Sequence, residues 1–336
     1  MRLAVLDLGL RSFHLAVFET SDRAGNPAGG SFAERAAGIR RAASLLCRRS
    51  WSETVRMASG TAQQKLGDAS LARGLASVKR LLRDKEAFDP TCPVVAFATA
   101  ALRESEGGPA FCAQVERRHG VAVELLSGEG EARLSYLGAR SHVAPPGRLA
   151  VADLGGFSLE LASGSGSECD LVFSLPVGVL ILRDVYLHPE RALDRAARER
   201  VAATVRFGAA DAARAIWDRR PEMLALTSGT ARALGALADE LGLRRPGADE
   251  LGVSALARLA DVLAQFRPVE LPALGIEESR SDAIAVGAVV FHTVMELLGF
   301  DSAVISPRGR REGAALRNLA RSGQVSAADR FHTAVT

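Results

Sequence analysis

The polar pattern D-L-G-x-x-S-x-x-L-A is written twice in this chain. Asp7-Leu8-Gly9 is followed by Ser12 and Leu15-Ala16, and Asp153-Leu154-Gly155 by Ser158 and Leu161-Ala162. A tight turn with glycine and serine at its tip gathers backbone N–H groups and a hydroxyl at one point, a cradle for an anion such as phosphate. The aspartate closing the leading strand sets a carboxylate beside the cradle, a donor suited to hydrated Mg2+. Taken singly, D-L-G is also an ordinary strand-end turn. Two copies, heading the two halves of one chain, instead suggest two cradles that grip one phosphorylated ligand from opposite sides.

The surrounding pattern supplies elements to carry these tips. "RLAVLDLG" and "SFHLAVFE" read as two strands joined by a tight turn, and "LAVADLGG" with "SLELASG" repeats that hairpin. Between the copies, "PVVAFATA" and "VAVELLSG" read as strands. "PAFCAQVERRHG" reads as a helix stopped at Gly120, and "EGEARLSYLGARS" has helical spacing. Pro145-Pro146-Gly147 reads as the turn into the second hairpin. Beyond it the chain is mostly helical, with "MLALTSGT" and "SAVISP" as short intervening strands. Strands alternating with helices, and a leading hairpin that recurs, indicate two related α/β domains. Residues 22–75 carry amphipathic fragments such as "FAERAAGIRRAASLL" and no motif.

Composition narrows the chemistry. A chain of 336 residues has room for about two domains, and 48% hydrophobic residues suffice for packed cores. Lysine occurs only at Lys65, Lys79 and Lys85, and no G-x-x-x-x-G-K-[ST] exists, so phosphate chemistry here is not of the P-loop kind. A net charge of +3 with 5% aromatic residues does not mark a nucleic-acid platform. The Arg308/Arg310/Arg311 and Arg244/Arg245 clusters read as solvated helix faces, with tracking of a long polyanion as the alternative. The cysteines and histidines are scattered without metal-ligand spacing. No apolar run reaches the ~18 residues of a membrane span. Asp7 and Arg11 interrupt the N-terminal apolar run, unlike a signal peptide. A cytoplasmic protein without nucleic-acid or membrane partners is expected, and a homodimer is left open.

In order, "DLGLRSFHL", "ATAALRES", "LSGEGEARLSYLG", "DLGGFSLEL", "LPVGVLILRDVYL", "TSGTARAL" and "SPRGRREG" resemble the exopolyphosphatase / guanosine pentaphosphate phosphohydrolase family, within the actin–hexokinase–heat-shock-ATPase fold group. The resemblance implies two related actin-like (ribonuclease H-like) α/β domains with a cleft between them. They would span residues 1–126 and 127–311, the first completed by a C-terminal helix at 312–325. It implies Glu131 as the base that activates water. Its position in the first turn of a helix is also electrostatically favourable by itself. It implies metal-associated carboxylates at Asp7, Asp153 and Glu160 for Mg2+, with His14 standing in the first hairpin where Glu160 stands in the second. Strand alternation leaves open whether Asp153 and Glu160 face the same way. Phosphate contacts are implied at Gly9, Arg11, Ser12, Arg103, Gly155, Gly156, Ser158, Ser228 and Gly229. An ordinary surface role is the alternative for Arg103.

Several positions depart from the family pattern. Leu10 and Arg11 stand where serine and asparagine are usual, Phe157 where glycine is usual, and Pro307 and Arg310 where aspartate and leucine are usual. Leu10 removes a hydroxyl, and Arg11 substitutes a cationic fork for an amide. Phe157 would be strained if its position needs positive φ, and its ring would crowd the cradle. The expected function is Mg2+-dependent hydrolysis of terminal phosphoanhydrides of inorganic polyphosphate or guanosine pentaphosphate. The alternatives are a weakly active or inactive protein that binds such ligands, and an ATP-dependent kinase of the same fold group.

Overall fold

The computed structural model describes residues 1–21, 44–57, 65–143, 147–188, 190–245 and 248–321. Its first sheet contains β1 (Arg2–Leu8), β2 (Ser12–Ser21), β3 (Ser44–Thr54), β4 (Val94–Ala98) and β5 (Val123–Leu125), in the order β3-β2-β1-β4-β5. The second contains β6 (Arg148–Leu154), β7 (Leu159–Ser165), β8 (Glu168–Leu175), β9 (Met223–Thr227), β10 (Glu250–Gly252) and β11 (Ser302–Ile305), in the order β10-β11-β9-β6-β7-β8. Placing β6 on β1, β7 on β2, β8 on β3, β9 on β4 and β11 on β5 superposes the two orders. In each sheet the leading strands are antiparallel and the next neighbour is parallel. The chain is therefore a duplicated α/β fold. The repeated sequence pattern marks only the first two strands of each copy.

The first half carries α1 (Asp68–Phe88), α2 (Ala100–Arg103), α3 (Gly108–His119) and α4 (Gly128–Arg140). The second carries α5 (Val179–Tyr186), α6 (Arg195–Trp217), α7 (Gly229–Glu240), α8 (Val253–Leu263), α9 (Glu278–Ser281) and α10 (Ile284–Leu298), and α11 (Arg310–Arg321) ends the described chain. Gly120 stops α3 in the left-handed conformation at φ 65°, where an L side chain is disfavoured. Helix α10 is apolar over most of its surface and lies in the core of the second unit, with Glu296 reaching the surface to pair with Arg206. No helix of the described residues is long and apolar enough to cross a membrane.

Two helices tie the halves together. On α4, Leu134 and Leu137 pack with Leu3, Val5 and Phe97 of the first sheet, whereas Ala132, Tyr136 and Ala139 pack with Leu149, Val151 and Ala225 of the second. Helix α11 returns to the first sheet and buries Ala314, Ala315, Leu316 and Leu319. Burying each leucine contributes about 1.5–3 kcal/mol. The two helices touch backbone to backbone. A Cβ on Gly138 would lie 1.9 Å from the Gly309 carbonyl oxygen, and one on Gly313 would lie 2.0 Å from that of Leu134.

The unread stretch 22–75 contributes β3 and the start of α1. Residues 32–43 of its amphipathic fragment lie outside the described residues, as do Pro145 and Pro146 of the expected turn and residues 322–325 of the expected C-terminal helix.

Candidate active site

Both hairpin tips open into one cleft of ≈ 640 Å³ between the two sheets. The tips are alike in detail. Gly9 N–H donates to the Ser12 carbonyl at 3.3 Å, and Gly155 N–H donates to the Ser158 carbonyl at 2.9 Å. A Cβ at Gly9 or Gly155 would come 3.1 or 3.2 Å from that same carbonyl, so a side chain there would require the turn to give by a few tenths of an ångström. These two N–H groups close the turns and are not presented to a ligand, which narrows the expected cradle to the rest of each tip. The strand-to-helix junctions also repeat. After β4 the chain reaches the cleft at Thr99, Ala100 and Ala101, and after β9 at Thr227, Ser228, Gly229 and Thr230.

Ser228 caps α7 by accepting from Ala231 N–H at 3.0 Å. Its φ of 139° and ψ of 174° lie in a region almost reserved for glycine, where a side chain costs of order 1–3 kcal/mol. The strain faces the cleft. Phe157 is different, because the described non-glycine residues with positive φ are Arg56, Arg220 and Ser228. The strain feared at Phe157 is absent. Its half-buried ring lines the cleft and packs against the cores of both halves. Leu10 turns into the first core.

Glu131 sits in the first turn of α4, a helix capped by Ser127, which accepts from Gly130 N–H at 3.0 Å. It is 1% exposed, yet it borders the cleft. Its Oε1 accepts from Ala100 N–H at the start of α2 at 2.6 Å, and Arg103 Nη1 stands 3.5 Å away. Its Oε2 accepts from Arg310. Burial raises the Glu131 pKa above the ordinary glutamate value, and the opposing pull of Arg310 does not cancel the rise. Arg103 is outside the cleft lining. It donates to the Leu126 carbonyl and to Glu104, and so braces the back of Glu131. The expectation of direct phosphate contact from Arg103 gives way to that placement.

Asp153 and Glu160 are direct partners across β6 and β7. Opposite residues in an antiparallel pair share a face, so the strand-alternation question is answered in favour of one common face. Asp7 pairs with His14 at the equivalent place in β1 and β2. His14 meets Ser12 Oγ at 2.8 Å, and burial with Arg311, Arg280 and Arg232 nearby pushes its pKa down to about 4. Asp153 Oδ2 accepts from Ser135 Oγ and stands 3.4 Å from Arg310 Nε. Glu160 Oε1 accepts from Ser174 Oγ at 3.0 Å. Burial, then the Glu131 charge, raises the Glu160 pKa to about 8, so its acid form predominates at neutral pH. Burial likewise raises Asp7, with Arg310 and Arg311 opposing. These donors do not fit a divalent ion as arranged. Arg310 already stands against Glu131 Oε2 and Asp153 Oδ2, only Asp153 Oδ1 and Glu160 Oε2 of these carboxylates are left as unpartnered buried oxygens, and no group of three His, Cys, Asp or Glu among the described residues could hold a metal.

Arg11 reaches across the cleft mouth. Its fork donates to Asp282 at 3.0 and 2.6 Å, and Arg183 donates to the same carboxylate. The Arg11 guanidinium is thus an inter-half tie, and its expected phosphate contact is displaced by Asp282. Several residues of the site escaped the sequence reading. Arg232, Arg280 and Arg311 line the cleft. Arg280 pairs with Glu277 at 2.8 Å, whereas Arg232 and Arg311 make no ion pair with any described residue. Desolvation by the cleft walls, then the nearby Arg311 and Arg280, lower the Arg232 pKa. No spacing rule could have joined these distant positions. Nor are Arg308, Arg310 and Arg311 a solvated face. Arg308 donates to the Ser141 and Leu45 carbonyls, and Arg310 and Arg311 border the cleft. Arg244, by contrast, forks onto Asp239 away from the cleft.

A model of the Ppx/GppA phosphatase family matches residues 41–322. The chain is 37% identical to an uncharacterised protein of Streptomyces coelicolor over 67% of this chain and 68% of that one. It is 29% identical to exopolyphosphatase 1 of Mycobacterium tuberculosis over 95% of this chain and 88% of that one. In structure it is similar to an exopolyphosphatase from Cytophaga hutchinsonii, with a TM-score of 0.81 and 20% identity over 97% of this chain and 99% of that one. The Ppx/GppA enzyme of Aquifex aeolicus gives 0.75 at 21% identity over 94% and 99%. The matched span includes the second hairpin, Glu131 and the cleft-lining Arg232, Arg280 and Arg311, and on it the chain belongs to the Ppx/GppA phosphatase family.

Proposed function

We propose that this chain hydrolyses terminal phosphoanhydride bonds, of inorganic polyphosphate or of a guanosine pentaphosphate, with Glu131 as the acceptor for the proton of the attacking water. One observation carries the reading. Arg232 and Arg311, without carboxylate partners among the described residues, share a cleft with a buried carboxylate of raised pKa. Crowded cations invite a polyanion, and a carboxylate shielded from water is the stronger base. Ser12, Ser158 and the Ser228 loop add hydroxyl and backbone donors around the same space. Each carboxylate oxygen has two lone pairs, so the bonds already made to Glu131 leave it able to accept from water. The relatives named exopolyphosphatase support the choice of substrate class.

A second reading, a protein that binds such ligands with little turnover, is favoured by the pairing of Arg310 with Glu131. Phosphate release from long-chain polyphosphate and from guanosine pentaphosphate, without another nucleotide, tests both. Release that disappears in Glu131→Gln supports hydrolysis. Tight binding of either substrate without release would replace it by the second reading.

A further inference from the structure

Asp7, Glu131 and Asp153 line the cleft and Glu160 is buried beside Asp153, and each lies close enough to Arg310 for its charge to be felt there. Buried carboxylates require a compensating cation, because water no longer screens them. In this chain the cation is covalently part of the fold. Arg310 Nη1 donates to Glu131 Oε2, and its Nε stands 3.4 Å from Asp153 Oδ2. The guanidinium therefore spans the two carboxylates that come from different halves of the cleft wall.

The backbone holds it there. Arg310 is the first residue of α11, where a positive charge opposes the helix dipole, so it gains nothing from its own helix. Gly309 N–H donates to Glu312 Oε2 at 2.8 Å, and this closes the helix start. The Arg308 carbonyl accepts from Ser306 Oγ at 2.8 Å and from Thr227 Oγ1 at 3.1 Å. Gly138 presses on the Gly309 carbonyl from the opposite side. The loop before Arg310 is fixed on three sides, and the side chain extends from it to the carboxylates.

We propose that Arg310 is the resident cation of this cluster, filling the place that a divalent metal would need, so that Asp7, Asp153 and Glu160 take up no metal ion. Two unpartnered buried oxygens remain, Asp153 Oδ1 and Glu160 Oε2. A divalent ion at these two atoms would face the guanidinium at close range, and like charges in a dry site repel strongly. The consequence for turnover, hydrolysis without a divalent ion at these carboxylates, rests on the proposed phosphohydrolase reading. The metal-binding statement does not.

Mn2+ binding followed by electron paramagnetic resonance on the full chain, without substrate, separates the two. The wild-type protein should take up no Mn2+ at these residues up to about millimolar concentration. Arg310→Leu should bind one Mn2+ per chain, at least tenfold more tightly than wild type. Uptake by the wild type that is lost in Asp153→Asn would overturn the proposal, as would failure of a folded Arg310→Leu protein to bind. If Arg310→Leu does not fold, Arg310→Lys keeps the charge. Binding of Mn2+ by that variant as by no other would show that a cation at this position does not exclude metal, and would also overturn it. None of these readings depends on catalysis, so failure of the hydrolase reading leaves them intact.

Discussion

Replacing Glu131 by glutamine tests the base and its anchoring together. The glutamine amide keeps the shape of the carboxylate, but one end must now present N–H groups. If its oxygen keeps the Ala100 N–H bond of 2.6 Å, its nitrogen meets the Arg310 guanidinium, donor against donor. If the amide flips, the same conflict falls on Ala100. One buried bond is lost either way, a cost of about 1–3 kcal/mol. Arg310 also loses one of its two contacting carboxylates. Removing a partner from a buried ion pair costs about 3–5 kcal/mol in full, but Asp153 at 3.4 Å retains part of the compensation. A net loss of about 2–4 kcal/mol in unfolding free energy is expected, less than the stability of an ordinary domain. Loss of a general base lowers turnover by about 10²–10⁴-fold, while substrate affinity stays within a few-fold. Urea denaturation, isothermal titration with substrate and phosphate release measure the three quantities on one preparation. A folded variant that releases phosphate at the wild-type rate refutes the role of Glu131. Unchanged stability would refute the ion pair.

Phe157→Gly should destabilise by about 1–3 kcal/mol in urea denaturation, below the ~3–5 kcal/mol of a fully buried phenylalanine, because the ring is half-buried between two cores. A stabilised variant would show that the ring is under strain after all. Gly313→Ala places a methyl 2.0 Å from the Leu134 carbonyl, and should lower the thermal midpoint through an overpacking cost of about 1–3 kcal/mol or more. A midpoint equal to wild type would mean that α11 packs less closely on α4 than described. Glu160 has a folded pKa of about 8 against an ordinary 4.5, so its contribution to stability is complete below about 4.5 and is lost as pH rises through about 8. Glu160→Gln should therefore flatten the fall in the thermal midpoint between pH 5 and pH 8, and an unchanged pH profile would contradict the raised pKa.

The sequence by itself determined the architecture, and it marked the two hairpin tips that meet in the cleft. The repeat at Asp7 and Asp153 is local in sequence, and a strand–turn–strand unit needs only a few adjacent residues to declare itself. Glu131 was named through the family resemblance of its block, and its place in the first turn of a helix is likewise local in sequence. Beyond these, what a residue does here depends on what stands opposite it. Arg11 and Asp282 are 271 residues apart and Arg310 and Glu131 are 179 apart. Only the folding of two sheets about α4 and α11 brings them together. Arg103 and Arg310 are alike as letters, yet the tertiary structure puts the first behind Glu131 and the second in front of it. Arginine in a sequence fixes a charge and a reach. Which carboxylate, carbonyl or ligand the charge meets is decided by packing at long range, where Gly138, Gly309 and Gly313 set the spacing between backbones.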